Sequence, residues 1–285
     1  MKLVFLGTSA AQPTENRGLS CICLEREGEI LMFDAGESAQ ISYMKSGLGW
    51  NKKMKIFVTH LHGDHCVGIL GLLQTMSMQN RTETLEIFGP SGIEEFIAAN
   101  IKVLNFGLSF PVIINTIKDE KIFENEKFSI RTCKANHSIV AFSYLFEEKD
   151  KPGRFNVEKA KELRIPEGEL WNKLQNGNEI KINDKIIRPE DVLGEKRPGK
   201  KEFFEECDYL VFDSTFLEDE KQKAQDTCHS TAKQAATLGK NARVKNLILT
   251  HFSARYKDEV EHLKEAKEIH DSVITARDLL EIEIK

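Results

Sequence analysis

Long apolar runs are missing from this chain. No stretch approaches the ~20 consecutive apolar residues that a membrane span needs, and the opening Met1–Gly7 is too short to serve as a signal peptide. A cytoplasmic protein with no membrane partner is the expectation. Cysteine pairing is missing as well. Cys21, Cys23, Cys66, Cys133, Cys207 and Cys228 form no C-x-x-C motif. A chain of 285 residues with 40% hydrophobic content can bury one large core without disulfide staples, so these six are expected to be reduced thiols, mostly buried. An overall excess of positive charge is also lacking. The net charge of −5 excludes a protein that coats nucleic acid indiscriminately, because phosphate affinity comes from clustered Lys and Arg. No tandem repeat of fixed short period is visible.

Charge is unevenly distributed. Residues 149–201 hold 14 Lys and Arg against 10 Asp and Glu, a net of +4, which leaves −9 for the rest. A basic segment on an acidic body is either a polyanion-binding arm or plain solvated surface, and composition by itself favours the second. The segment is punctuated by Lys151-Pro152-Gly153, Ile165-Pro166-Glu167-Gly168 and Arg197-Pro198-Gly199. Its apolar residues are too few and scattered to suggest a core of its own. It therefore reads as an arm, 149–201, inserted into one catalytic domain made of 1–148 and 202–285.

The body alternates β-rich runs with helical patterns, which predicts a layered α/β domain. Strands are expected at Lys2–Gly7, Leu19–Glu25, Glu29–Phe33, Lys55–Thr59, Thr84–Phe88, Val112–Ile117, Lys127–Cys133 and Ala141–Glu147. Beyond the arm they are expected at Tyr209–Asp213 and Asn246–Thr250, with a short ending at Ser272–Ala276. Helices are expected at Glu37–Lys45, Val67–Met76, Gly92–Val103 with Ser91 as N-cap, Thr231–Gly239 and Asp258–His270.

One run carries chemistry. Ile56-Phe57-Val58-Thr59 leads straight into His60-Leu61-His62-Gly63-Asp64-His65, four potential ligands in six residues behind an apolar strand. His60 and His62, two apart, point the same way from an extended backbone, and Asp64 and His65 follow where the chain turns at Gly63. A His-rich loop capping a helix would be the bland alternative, yet the full H-x-H-x-D-H behind a strand is rarely a packing accident. Two more histidines, His137 and His251, follow strand ends, where an α/β scaffold places functional groups. This yields a ligand proposal of His60, His62 and His137 for one zinc ion and Asp64, His65 and His251 for a second. A pair of ions ~3.5–4 Å apart polarises a phosphoryl oxygen and activates water, whose proton Asp64 is placed to accept. Cys66, next to His65, reads as a buried thiol at the start of the following helix rather than a ligand.

At this point the chain resembles the short form of ribonuclease Z, of the metallo-β-lactamase superfamily. The resemblance rests on Phe5-Leu6-Gly7-Thr8-Ser9-Ala10, Phe33-Asp34-Ala35-Gly36-Glu37, the histidine motif, Phe88-Gly89-Pro90, His229-Ser230-Thr231 and Leu249-Thr250-His251-Phe252-Ser253-Ala254-Arg255-Tyr256, in that order. It implies a four-layer αββα sandwich with an exosite arm, and a zinc-dependent endonuclease that removes the 3′ trailer of precursor tRNA and leaves a 3′-hydroxyl. It also implies that the arm grips tRNA on behalf of the partner in a homodimer, with Lys151, Arg154, Lys173, Lys181 and, outside the arm, Arg255 as substrate contacts. His229 matches the family's proton donor to the leaving oxygen. Asp213, sixteen residues earlier in Phe212-Asp213-Ser214-Thr215-Phe216, matches the glutamate that orients it, one methylene shorter. One family block has no counterpart. A strand ending in G-D-T, whose aspartate bridges the two metals, belongs between Arg197-Pro198-Gly199-Lys200-Lys201 and Cys207-Asp208-Tyr209-Leu210, and this chain has no such segment. The resemblance therefore implies two zinc ions per subunit with one held more weakly. Two other readings stay open: a catalytically impaired tRNA-binding homologue, and a hydrolase of another phosphodiester.

Overall fold

The computed structural model describes residues 1–118, 120–149, 155–175, 177–182, 185–193 and 204–284. Among these, no helix is long and apolar enough to cross a membrane. The chain folds as two units, one of residues 1–122, 132–145 and 202–285, the other of 123–131 and 146–201.

The first unit is organised by a seven-stranded mixed sheet in the order Glu281–Glu283, Lys2–Gly7, Cys21–Arg26, Glu29–Phe33, Lys53–Phe57, Leu85–Gly89 and Val112–Thr116. Pairing is antiparallel through the first four strands and parallel through the last four. Side chains alternate across a strand, and here that period separates two kinds of packing. Met54, Ile56 and Val58 enter a core shared with the helices Ala39–Ser46, Gly68–Met78 and Ile93–Leu104. On the opposite side, Phe57 stacks between Phe33 and Phe88 with centroids at 5.3 and 5.1 Å, and Tyr144 closes on it at 5.6 Å. Lys55 stays in this largely buried stretch because its amine meets Glu29 at 2.7 Å and Glu86 at 3.2 Å on the flanking strands.

A second sheet, wholly parallel, has the order Tyr209–Asp213, Asn246–Thr250, Val273–Thr275. The helix Ala232–Asn241 covers it through Ala232, Ala235 and Ala236, small residues that let helix and strands approach closely. Thr231 caps this helix by accepting from the Gln234 amide at 3.1 Å. Three-stranded pairing also joins Ala141–Glu148, Phe128–Ala135 and Lys121–Glu124.

Three sequence expectations need correction. Ser91 does not cap its helix: Gly92, at φ 99°, turns the chain into Ile93–Leu104, and no side chain accepts there. The thiols divide evenly, with Cys21, Cys23 and Cys66 buried and Cys133, Cys207 and Cys228 partly or fully exposed. The arm does have a core. Ala160, Ile165, Leu174, Ile180, Ile187 and Val192 are buried together among the short helices Val157–Glu162 and Glu169–Gln175 and the hairpin Ile180–Ile182 with Lys185–Ile187. These residues are spread singly along the segment, so only tertiary folding collects them.

Candidate metal centre

The strand Lys53–Phe57 ends where its backbone leaves the ladder. The Val58 amide still donates to Phe88, but the Thr59 amide turns to the carboxylate of Asp34 at 2.7 Å. His60 and His62 follow on extended chain, His62 at φ −68° and ψ 145°, and the backbone winds into the helical turn Gly63–Cys66 that carries Asp64 and His65. Gly36 makes room for this turn: a Cβ there would lie 2.2 Å from the Asp64 carbonyl oxygen. Asp34, buried and at a positive φ of 58°, accepts from His65 Nδ1 at 2.7 Å and from the Thr59 hydroxyl at 3.0 Å, and that hydroxyl meets His60 Nδ1 at 2.8 Å. One carboxylate thus orients two of the motif's imidazoles. Sequence reading passed Asp34 over, although its place between a strand end and Gly36 marks a turn that needs an unusual backbone.

His137, half-buried in the turn between Phe128–Ala135 and Ala141–Glu148, brings Nε2 to 3.1 Å from His62 Nδ1. His251 follows the buried strand Asn246–Thr250 at φ 64°, left-handed backbone that a non-glycine residue adopts at some cost. Its Nε2 stands 3.2 Å from His65 Nε2 and 3.6 Å from Asp64 Oδ2. Three triads result among the described residues, His60 with His62 and His137, Asp64 with His65 and His251, and Asp213 with His229 and His251, the ligand atoms within each lying within 4.8 Å of one another; the first two are the expected ligand sets.

Protonation differs between the two expected ligand sets. Burial and the neighbouring imidazoles push His60 down to about 2, so it is a neutral donor at any ordinary pH. Burial would raise Asp64, but bonding to His251, the charge of His65 and the Ala11 amide at 2.9 Å hold its carboxyl well below the usual range. Burial would likewise depress His251, yet Asp213 and Asp64 hold it up to about 9. A metal ion takes an imidazole only at a bare nitrogen, so binding at His251 would displace a proton; imidazoles and an ionised carboxylate, three to a site, are the donors that zinc takes at ~2.0–2.2 Å.

His229 lies alongside, its ring centroid 5.2 Å from that of His251 and 6.0 Å from that of His137. Asp213 reaches it despite the short side chain: Oδ2 accepts from His229 Nδ1 at 2.9 Å and from the Ser230 amide at 3.2 Å. Oδ1 accepts from the Thr215 amide at 2.8 Å and its hydroxyl at 2.6 Å. These are four donors, the capacity of an ionised carboxylate, so Asp213 is engaged here rather than free to bridge two ions. Cys66 points away from the centre, donating to the His62 carbonyl at 3.3 Å, and burial pushes its thiol up to about 11.

The expected substrate contacts divide between the two units. Arg255 is exposed, lies over the Phe216 ring at 5.1 Å and pairs with Glu220. Within the arm, Lys173 is exposed and 3.6 Å from Glu169, and Lys181 is exposed on the hairpin. Lys151 and Arg154 lie outside the described residues.

Comparison with known proteins extends these observations. The family described as Anti-Pycsar protein Apyc1 matches residues 1–150. The chain is 88% identical to Ribonuclease Z of Nitrosopumilus maritimus, with all of both chains covered. That alignment spans 299 positions against 285 residues, so 14 of its positions face no residue here. The crystal structure of human tRNase Z, short form, superposes with a TM-score of 0.73 at 28% identity, covering all of both chains. The metallo-beta-lactamase fold protein YhfI of Bacillus subtilis superposes with a TM-score of 0.68 at 18% identity over 99% of each chain, which identifies the architecture.

Proposed function

The chain belongs to the ribonuclease Z family, with residues 1–150 shared with the family described as Anti-Pycsar protein Apyc1, and from that premise we propose that it removes the 3′ trailer of precursor tRNA as a zinc enzyme. A metal-dependent hydrolase of phosphodiester bonds with the metallo-β-lactamase fold is the broader statement, and it follows from the family and the structural neighbours. The observation that supports the finer reading is the meeting of two ligand triads with a carboxylate-held histidine, since cleavage of RNA to a 3′-hydroxyl needs both a charged site for the phosphate and a proton for the departing oxygen.

Bound divalent cations at the two triads would supply the positive charge that polarises the phosphate and acidifies water. His60, His62 and His137 would hold one, and Asp64, His65 and His251 the other. Asp64 takes the proton of the attacking water. His229, aligned by Asp213, gives its proton to the leaving oxygen, which ends the tRNA product in a 3′-hydroxyl. In this reading the chain acts as a homodimer whose basic arm supplies phosphate contacts to tRNA, a task for which the acidic body is poorly charged.

Purified protein incubated with a tRNA carrying a 3′ trailer should release the trailer, stop when a chelator is added, and resume with zinc. Deleting Asp150–Lys200 should raise the KM for tRNA far more than that for a small phosphodiester; equal losses would contradict the arm's role. A second reading has its own support. The sequence lacks the G-D-T segment, and among the described residues Asp64 and Asp213 are the carboxylates found in the ligand groups. Protein that binds tRNA and zinc but leaves the trailer uncut would establish that impaired homologue instead.

A further inference from the structure

Two threonine hydroxyls stand between a carboxylate and a ligand imidazole. Thr59 does so between Asp34 and His60. Thr215 does so between Asp213 and His251, with Oγ1 2.6 Å from Asp213 Oδ1 and 3.0 Å from His251 Nδ1. The turn that places Thr215 is local: its own amide closes on the side chain of Asp213 two residues earlier at 2.8 Å. Thr215 is 3% exposed, so water does not substitute for its hydroxyl.

Proton counting decides the direction of this relay. The hydroxyl has a single proton. Asp213 is surrounded by donors, the Thr215 and Ser230 amides and His229 Nδ1 among them, and an ionised carboxylate only accepts. The threonine proton therefore goes to Asp213. Only an oxygen lone pair remains for His251, so Nδ1 must carry the hydrogen. In the neutral ring Nε2 is then the bare nitrogen, and it is Nε2 that faces Asp64 and His65.

We propose that Thr215 is a positioning residue for the Asp64, His65 and His251 site: its hydroxyl, oriented by Asp213, holds His251 in the tautomer and ring orientation that present Nε2 to a metal ion. The inference rests on reading that triad as a metal site. It also ties the site to the neighbouring proton donor, because one carboxylate holds His229 directly and His251 through Thr215.

Thr215→Val removes the hydroxyl at nearly constant shape, and Thr215→Ser keeps it. Full-length protein is loaded with zinc and titrated with a chromophoric chelator. Wild type and T215S should release two ions alike, whereas T215V should hold one of the two about 10–100-fold more weakly, the usual effect of losing a partner behind a ligand. The other ion should be unchanged in T215V, which also reports that the variant folds. T215V releasing both ions as wild type does, or T215S as weak as T215V, overturns the inference alone. Wild-type protein that takes up no zinc overturns the metal reading and this inference with it. Nitrogen NMR of the imidazoles in zinc-loaded wild type needs no variant: His251 should carry its proton on Nδ1, and a proton on Nε2 would overturn the assignment.

Discussion

The metal centre has two halves of different construction. The motif half comes from Asp34 and the continuous run Thr59–His65, where a strand end and one helical turn place every donor locally. The distal half, Asp213, His229 and His251, comes from two parallel strands and the cap of a helix, separated by up to 38 residues and brought together only by the second sheet. Each half contains a carboxylate that holds one imidazole directly and another through a threonine hydroxyl. They differ in task. The motif half supplies four of the six proposed metal ligands, the distal half adds a single ligand and the proposed proton donor, and the sixth ligand, His137, comes from the turn between Phe128–Ala135 and Ala141–Glu148. The match to the family described as Anti-Pycsar protein Apyc1 covers residues 1–150, which include the motif half.

The largest effect should come from breaking the motif half. His62→Ala removes an imidazole from the His60, His62 and His137 triad, and kcat/KM for tailed tRNA should fall on the order of 10³-fold or more as zinc content drops from two ions to one. Turnover unchanged by that loss would mean the triad is dispensable. His229→Ala attacks the distal half without touching a proposed ligand. It should lower tRNA cleavage by about 10²–10⁴-fold with both ions retained, the usual worth of a positioned acid. A nitrophenyl phosphodiester, whose leaving group departs without a proton, should be cut almost as fast as by wild type. Equal losses on the two substrates would remove His229 from the acid role.

Metal-free protein should show the halves responding to pH with opposite sign. His251 is held up to about 9 against an ordinary 6.5, so its contribution to stability is complete below pH 6.5 and is lost as pH rises through 9. The shift corresponds to roughly 3 kcal/mol. Burial and its neighbours depress His60 instead, so its contribution is present above pH 6.5 and is lost on acidification. In urea unfolding, wild type should lose its advantage over His251→Gln between pH 6.5 and 9.5, and should lose stability relative to His60→Gln as pH falls from 7 to 5. Parallel slopes for the two variants would refute the contrast.

What could be read from the sequence follows the same division. Strands Lys2–Gly7, Glu29–Phe33, Tyr209–Asp213 and Asn246–Thr250 have the expected bounds, because buried sheet strands are short unbroken apolar runs between polar ends. The metallo-β-lactamase fold and the family were legible from blocks spread over the chain. The convergence of His60, His62, Asp64 and His65 followed from spacing along one strand and turn. Asp34, Thr59 and Thr215 did not, since hydrogen bonds behind a ligand leave no spacing pattern. The closing strand Glu281–Glu283 was missed because it is an edge strand of charged residues, tied by Lys2 to Glu281 at 3.0 Å. The short helix Lys221–Asp226 was missed because it buries only Ala224.

The smallest effect separates the ions themselves. Without a bridging aspartate the two triads are unequal in charge: three neutral imidazoles on one side, two imidazoles with the ionised Asp64 on the other. A dication among His60, His62 and His137 keeps its full charge and also faces its neighbour. The one at Asp64 has half of its charge offset by a ligand. A single unit charge at ~4 Å is worth between about 1 and 4 kcal/mol as the effective dielectric falls from that of water to that of a protein surface, so a gap of about tenfold or more in affinity should separate the sites. The weaker ion is then the one held by the three imidazoles. Chelator titration should resolve two phases, of which His62→Ala abolishes the weaker and His65→Ala the tighter. Two phases of equal strength would mean that a further carboxylate reaches the imidazole triad, and the reversed assignment would mean that geometry at His251, rather than charge, sets the order.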